Sequence, residues 1–188
     1  MQLTVLFTTA AIVVLGIAGC GGGSSSGSQP SNPNAKESSP PGDIPDNQAF
    51  IAYRAPIGGF AVKVPEGWSR IDRRGTVTFT DKLNSIGIRS AAAGAALTPA
   101  AARRAEVPRR AQTPTVSAVS RPAGRGLRIS YLIAAAPNAV TGKAGTDAVE
   151  RYVFFHKGQQ VVLTLSGPKG ADNVDPWRIV TDSLRWTR

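Results

Sequence analysis

The chain has 188 residues but only one cysteine and one histidine, and both scarcities exclude chemistry. With Cys20 as the only thiol, no disulfide can form within the chain, so the folded part must be stabilised by its core. His156 has neither the partners that nucleophilic catalysis needs nor the other ligands of a metal site. The predicted domain also lacks the G-x-S-x-G nucleophile elbow of a hydrolase and a second histidine. We therefore predict a protein that is not an enzyme, with no catalytic residue, no metal and no cofactor.

The chain also lacks an apolar run of the roughly 20 residues that a membrane-spanning helix needs. Its most apolar stretch, Leu3 to Gly19, carries no charge and ends in small residues directly before Cys20. This pattern is typical of a bacterial lipoprotein, with a signal peptide over residues 1–19 and acyl chains on Cys20. We therefore predict a protein anchored by its lipid to the extracytoplasmic face of the cell membrane.

The usual positive charge at the start of a signal peptide is missing, since positions 2–10 hold no Lys or Arg. Two alternatives to the lipoprotein therefore stay open. One is an ordinary cleaved signal with an incidental cysteine, and the other is an uncleaved membrane anchor.

After Cys20 the chain is rich in Gly, Ser, Pro and Asn and poor in apolar residues. Such a segment cannot bury enough surface to fold, so residues 20–48 are predicted to form the lipidated start and a flexible linker. A linker of this length has a root-mean-square reach of roughly 30 Å. Residues 49–188 are predicted to form one domain.

Within this domain, short runs of alternating apolar and polar residues predict strands. They cover residues 60–64, 76–80, 85–89, 115–120, 127–135, 148–155 and 160–166. The last two are predicted to form a hairpin with its turn at residues 156–159, and residues 121–126 are predicted to form another turn. The Gly-rich loop 137–146 is expected to be exposed.

Two helices are predicted from their start signals and spacing. Thr98 and Pro99 are typical of an N-cap and first helical position, and Pro108 ends that helix. Near the end of the chain, Trp177, Val180 and Leu184 recur at helical spacing and should pack on the sheet. The order of elements predicts an α+β fold with helices covering sheet faces.

Residues 60–68 end in Pro65-Glu66-Gly67-Trp68 and resemble the opening strand and P-x-G-W turn of PsbP-like domains. Residues 152–165 and 170–186 resemble the last hairpin and C-terminal helix of that family. The resemblance implies a central antiparallel β-sheet flanked by helices, the fold shared with a Ran-binding nuclear import factor. It implies accessory binding proteins rather than enzymes, and it carries over no functional residue because the matching positions are turn and core residues.

The net charge of +10 is concentrated in the domain, and seven arginines stand against the single acid Glu106 in its middle part. They form either a solvated basic face or a surface for an anionic lipid, a wall polymer or an acidic protein. Nucleic acid is not expected as a partner, because no aromatic residues are interleaved to stack on bases. The candidate residues are Arg103, Arg104, Arg109, Arg110, Arg121, Arg125 and Arg128.

Two functions follow from these patterns. The first is a binding or accessory module of the cell envelope, and the alternative is a carrier of a lipid or another hydrophobic small molecule. The apolar runs 132–136 and 161–165 are core strands that could line a pocket between the sheet and the terminal helix. Residues 172–175 resemble the start of a calcium loop but lack its glycine and distal glutamate, so Asp175 is predicted to be an N-cap.

Overall fold

The computed structural model describes residues 40–137 and 142–187, which form ten strands and two helices. The strands are β1 (Phe50–Arg54), β2 (Phe60–Pro65), β3 (Ser69–Arg73), β4 (Thr76–Thr80), β5 (Ser85–Ala92), β6 (Gln112–Arg121), β7 (Gly124–Ala134), β8 (Thr146–His156), β9 (Gln159–Pro168) and β10 (Arg185–Trp186). The helices are α1 (Pro99–Glu106), between β5 and β6, and α2 (Val174–Ser183), between β9 and β10.

The strands form two antiparallel sheets. The larger sheet has seven strands in the order β3-β4-β5-β9-β8-β7-β6, and the smaller has three in the order β1-β2-β10. In the larger sheet, the meanders β3–β5 and β6–β9 are joined by the pairing of β5 with β9. An antiparallel sheet with two helices is thus confirmed, and the smaller sheet is a feature that the sequence did not predict. A strand such as β2 has the same apolar alternation whether it lies in a central sheet or in a second sheet packed against it. The sequence pattern therefore could not distinguish these two arrangements.

The two faces of the larger sheet are covered differently. Tyr152 and Phe154 of β8 face the smaller sheet, and they are buried in one cluster with Phe60 of β2. Val153 points to the opposite face, where it is buried in a second cluster with Ala102 of α1. The helix α1 lies on β6 and β7.

The terminal helix packs as its spacing predicts. Trp177, Val180 and Leu184 are buried in the first cluster, and α2 lies against β2. These three side chains fill the space beneath the buried face of α2. The cavity found beside α2, of about 370 Å³, is lined by Lys63, Ile179, Asp182, Ser183 and Arg185, and the apolar runs 132–136 and 161–165 do not reach it.

The starts of the two helices differ in how well they were predicted. Thr98 caps α1 as expected, because its Oγ1 accepts a hydrogen bond from Ala101 N at 3.2 Å. The N-cap of α2 is Asn173 rather than Asp175, which lies in the first turn and contacts Arg178 Nη2 at 2.8 Å. There the carboxylate still interacts favourably with the positive end of the helix.

Every predicted strand is present, and the hairpin of β8 and β9 is confirmed. Its turn is shorter than predicted, since His156 and Gln159 pair with each other in the ladder. The strands β1, β3 and β10 were not predicted. All five residues of β3 are exposed, so its sequence has no apolar alternation to detect.

The folded part begins before residue 49. Asn173 Oδ1 accepts a hydrogen bond from Ile44 N at 2.8 Å, and Asn173 Nδ2 donates one to Gly42 O at 3.0 Å. Ile44 is buried in the core, so this stretch belongs with the domain, whereas the sequence analysis assigns it to the linker. Residues 1–39, with the predicted signal peptide, Cys20 and most of the linker, lie outside the described residues, as do residues 138–141 of the predicted exposed loop.

The larger sheet has two ends of different character. Three two-residue turns lie at one end, because the registers of their strands align there; we call it the turn end. They are Arg74–Gly75, Pro122–Ala123 and Lys157–Gly158. The loop 55–59 between β1 and β2 also lies there. Gly42 and Ile44 bind Asn173 at the opposite end, which we call the entry end.

Candidate functional site

The structure divides the seven candidate arginines into separate groups. Arg103 and Arg104 are exposed on α1, and Arg109 and Arg110 are exposed on the turn that follows it. Arg103 Nη2 also donates a hydrogen bond to Pro114 O at 3.1 Å. The other three, Arg121, Arg125 and Arg128, lie on β6 and β7 and reach other parts of the surface.

Two members of the set are held by interactions within the domain. Arg128 forms an ion pair with Glu150, and this hydrogen bond raises the pKa of Arg128. Arg121 lies over the Tyr152 ring with its Nε 3.4 Å from Asp182 Oδ1 on α2. Arg128 therefore joins two neighbouring strands and Arg121 joins the sheet to α2, so the seven do not form one patch.

The turn end carries a second group of cations, of which only Arg121 and Arg125 belong to the seven predicted candidates. Its members come from different loops and strand ends, and only their shared register brings them together. They are Arg54, Arg73, Arg74, Arg125, Lys157 and Arg185, beside the half-buried Arg121.

Two of these cations have an unusual backbone conformation. Arg74 has φ +49° and is followed by Gly75 at +76°, and Lys157 has φ +45° and is followed by Gly158 at +79°. Two-residue hairpin turns with both φ values positive favour Asn, Asp or Gly at the first position. A long side chain there is disfavoured by roughly 1 kcal/mol or more. Both turns thus place a cation at the tip despite a local penalty.

Most of the carboxylates lie at the entry end instead, together with Lys82 and Lys169. Burial raises the pKa of one of them, Asp147, although a hydrogen bond from Ser166 Oγ opposes this effect. The domain is therefore charged unevenly along the strand direction. The carboxylates of the entry end are Asp43, Asp46, Glu66, Asp81, Asp147, Asp172 and Asp175.

A partly apolar cavity of about 450 Å³ opens at the turn end, between the loop after β1 and the β3–β4 hairpin. Ile57, on its rim, is 85% exposed, an unusual position for a large aliphatic side chain. Arg73, Arg74 and Asp72 also line the opening. The apolar lining is formed by Tyr53, Pro56, Ile57, Phe60, Val77 and Ile88.

A second cavity at the turn end contains the only histidine. His156 stacks on Trp186 with ring centres 5.2 Å apart, and Trp186 Nε1 donates a hydrogen bond to Ala123 O. Gly58 and Gly59 form the facing wall of this cavity of about 560 Å³. Within the described ranges, no hydrogen bond joins the His156 ring to a carboxylate or a nucleophile, so its observed role is to pack against Trp186.

Glu106, the single acid near the seven candidate arginines in the sequence, forms ion pairs with two other arginines, Arg89 and Arg151. The Glu106 side chain is buried at the end of α1, and its Oε1 lies 2.7 Å from Arg89 Nη2. Arg151 Nη1 contacts Glu106 Oε2 at 3.0 Å and the Glu106 carbonyl at 2.6 Å. This cluster holds the end of α1 on the sheet.

The described residues hold neither a cluster of metal ligands nor a helix that could span a membrane. No group of three or more His, Cys, Asp or Glu side chains among them is placed to hold a metal ion. Neither α1 nor α2 is long and apolar enough to cross a bilayer, and no other helix lies in the described ranges.

The comparisons with known proteins identify a fold. No family model and no curated protein sequence matches the chain. The solution structure of the cyanobacterial PsbP protein CyanoP from Synechocystis sp. PCC 6803 matches with a TM-score of 0.50 and 15% identity, over 74% of this chain and 93% of that one. The PsbP-like fold predicted from the sequence is thus confirmed.

Two further structures share this similarity. A Bacteroides thetaiotaomicron protein matches with a TM-score of 0.50 and 15% identity over 73% of this chain, which spans about half, 48%, of that protein's length. The Ran-binding protein Mog1p from Saccharomyces cerevisiae matches with a TM-score of 0.45 and 12% identity over 74% of this chain and 96% of its own.

Proposed function

We propose that the protein is a lipid-anchored, extracytoplasmic binding or accessory module of the cell envelope, without catalytic activity of its own. The location rests on the uncharged segment that ends at Cys20. The observation that carries the binding role is the uneven charge of the domain. Exposed cations gather at the turn end, while the chain continues toward Cys20 from the entry end.

The proposed partner is a phosphate-bearing polymer of the wall. The cations of the turn end stand on several loops and strand ends, so together they present a broad positive surface. A polymer with repeated phosphates can contact several such cations at once, and each contact adds to the attraction. Acidic phospholipids and acidic proteins are the competing partners, and the α1 arginines are the competing surface.

Charge reversal in matched pairs tests this proposal. The chain from residue 20 onward, with Cys20→Ser to keep it unlipidated, is measured for binding to poly(glycerol phosphate) at several salt concentrations. We expect Arg54→Glu with Arg125→Glu to weaken binding about tenfold or more, since each cation near an anionic surface contributes about 1 kcal/mol. Lys82→Glu with Lys169→Glu makes the same change in charge at the entry end and is expected to have a much smaller effect.

The competing surface is tested in the same assay. If Arg104→Glu with Arg110→Glu weakens binding more than the turn-end pair does, the surface on α1 is the binding site. Binding that is indifferent to salt, or to all three pairs, would contradict the electrostatic role. Binding to anionic vesicles but not to the polymer would identify lipid as the partner.

A specific observation favours a second candidate function, the carrier of a lipid or another hydrophobic molecule. The cavity beside Ile57 is partly apolar, and its volume of about 450 Å³ lies within the usual range of small-molecule sites. A carrier isolated from its producing organism should keep its cargo. Native mass spectrometry of the purified protein should then show a defined extra mass that is lost on denaturation, whereas a bare protein would argue against this function.

A further inference from the structure

We propose that the cavity beside Ile57 binds a single-chain amphiphile with an anionic head group, such as a fatty acid anion. This inference rests on the carrier function and names its ligand class. The apolar chain lies against the inner wall of the cavity, and the head group meets the guanidinium groups at its opening.

The wall of the cavity is suited to an alkyl chain. Val77 and Ile88 belong to the face of the larger sheet that packs on the smaller sheet, and they continue the apolar core to the surface. Ile57 stands at the opposite rim and leaves 85% of its surface in water. A bound alkyl chain would cover Ile57, and removal of this apolar area from water would stabilise the complex.

The opening of the cavity favours an anion. Arg73 and Arg74 line it, and neither lies within ion-pair distance of a carboxylate among the described residues. Asp72 also lines the opening, but both of its oxygens accept hydrogen bonds from Arg70, at 3.2 and 2.9 Å. The local charge is therefore positive, and guanidinium groups bind carboxylates through strong, directional hydrogen bonds.

The backbone conformation at Arg74 does not favour an arginine, so folding alone does not require this side chain at the opening. Its φ of +49° would be met with less strain by glycine, so the side chain is kept at the tip against a local preference. The same reasoning supplies a variant that leaves the fold intact. Arg74→Gly removes the cation and relieves the backbone, so any loss of binding cannot be ascribed to unfolding.

Isothermal titration calorimetry with decanoate, below its micelle concentration, tests the proposal on the chain from residue 20 onward with Cys20→Ser. We expect saturable binding that Arg74→Gly weakens about tenfold, the factor that corresponds to one charge-assisted hydrogen bond. Ile57→Ser should also weaken binding. Lys157→Gly makes the same changes in charge and backbone at a turn outside this cavity, and it should bind decanoate as the unchanged chain does.

Decanol, the neutral molecule of the same chain length, distinguishes the possible failures. Weaker binding of decanol than of decanoate supports the proposal. Equal binding of the two, with no effect of Arg74→Gly, overturns anion recognition but leaves the carrier function. Binding of neither overturns the ligand class proposed for this cavity, and a defined co-purifying mass would then still support a carrier of another ligand. The polymer assay is separate, because Arg54 and Arg125 do not line this cavity.

Discussion

Gly126 lies where two strands and an aromatic ring approach each other too closely for any side chain. A Cβ at this position would lie 2.5 Å from Val153 O and 2.7 Å from Phe154 Cδ1. Glycine is therefore needed in the middle of a strand for space rather than for its backbone freedom. The absence of a side chain at residue 126 leaves room for the buried Phe154 ring.

Gly126→Ala is expected to lower the free energy of unfolding by about 1–3 kcal/mol, because the added methyl group forces the ring and the neighbouring strand to move. Gly94→Ala is the matched control, since a Cβ there would meet nothing within 4 Å. It should change stability by no more than about 0.5 kcal/mol. Urea unfolding of both variants measures the difference, and equal effects would contradict the packing argument.

Asp147 gives the stability of the domain a dependence on pH. Burial raises the pKa of its carboxyl group in the folded state, so folding disfavours the ionised form. The destabilising effect is absent below the unfolded-state pKa and grows as pH rises through the interval up to the raised folded-state pKa. Above that interval it is fully present.

Asp147→Asn is therefore expected to raise the melting temperature at pH 7 and to have little effect near pH 3. The amide oxygen can still accept the hydrogen bond from Ser166 Oγ, so the contact is kept. A shift of the same size at both pH values would show that the effect is unrelated to ionisation.

The helix α1 depends on Glu106 more than on its apolar contacts with the sheet. The helix is short and contributes few apolar side chains, with Ala102 its one buried hydrophobic residue. Glu106, at its last position, accepts hydrogen bonds from Arg89 and Arg151 on two different strands. Short helices of this kind are stabilised mainly by tertiary contacts.

Glu106→Gln is expected to lower the free energy of unfolding by about 1.5–3 kcal/mol, the usual contribution of a hydrogen bond to a charged group. Asp175→Asn removes an exposed ion pair with Arg178 and should change stability by about 0.5 kcal/mol or less. Chemical denaturation compares the two. If Asp175→Asn proves the more damaging change, the attachment of α1 does not depend on Glu106.

The sequence predicts those elements whose signals are local. Thr98 and Pro99 mark the start of α1, and the hairpin of β8 and β9 follows from its alternation and its Lys-Gly turn. The N-cap of α2 was missed because Asn173 uses its side chain to bind Gly42 and Ile44 rather than its own helix. Contacts between residues so far apart in the chain leave no pattern in a single sequence.

The candidate site shows the same limit at the scale of the whole molecule. A run of seven arginines is visible in the sequence, but alternation along β7 sends Arg128 to the face opposite α1, where it pairs with Glu150. The turn-end cations are scattered along the chain and are gathered only by strand register. The spacing of charged residues in a sequence predicts a charged surface only where these residues all lie on one helix or one strand.

The attachment of residues 42–44 gives a prediction for the whole domain. A chain that starts at residue 49 loses Ile44 from the core and leaves the buried Asn173 without its partners Gly42 and Ile44. We expect it to melt at a lower temperature than a chain that starts at residue 40. Ile44→Ala in the longer chain should cause part of the loss, about 2–5 kcal/mol in unfolding free energy for a buried isoleucine. Equal stability of the two chains would show that the segment is dispensable.

The ladder between β5 and β9 also determines the order in which the sheet can be completed. Each meander, β3–β5 and β6–β9, can form from residues that are close in the sequence. The two halves join only when β5 pairs with β9, which places Ser85 opposite Ser166. Closing so long a loop is slow, because its entropy is lost before the pairing compensates for it. Until β9 has been synthesised, β5 presents an unpaired edge that can join the strands of another chain. The newly made protein therefore needs protection from aggregation for longer than its small size suggests.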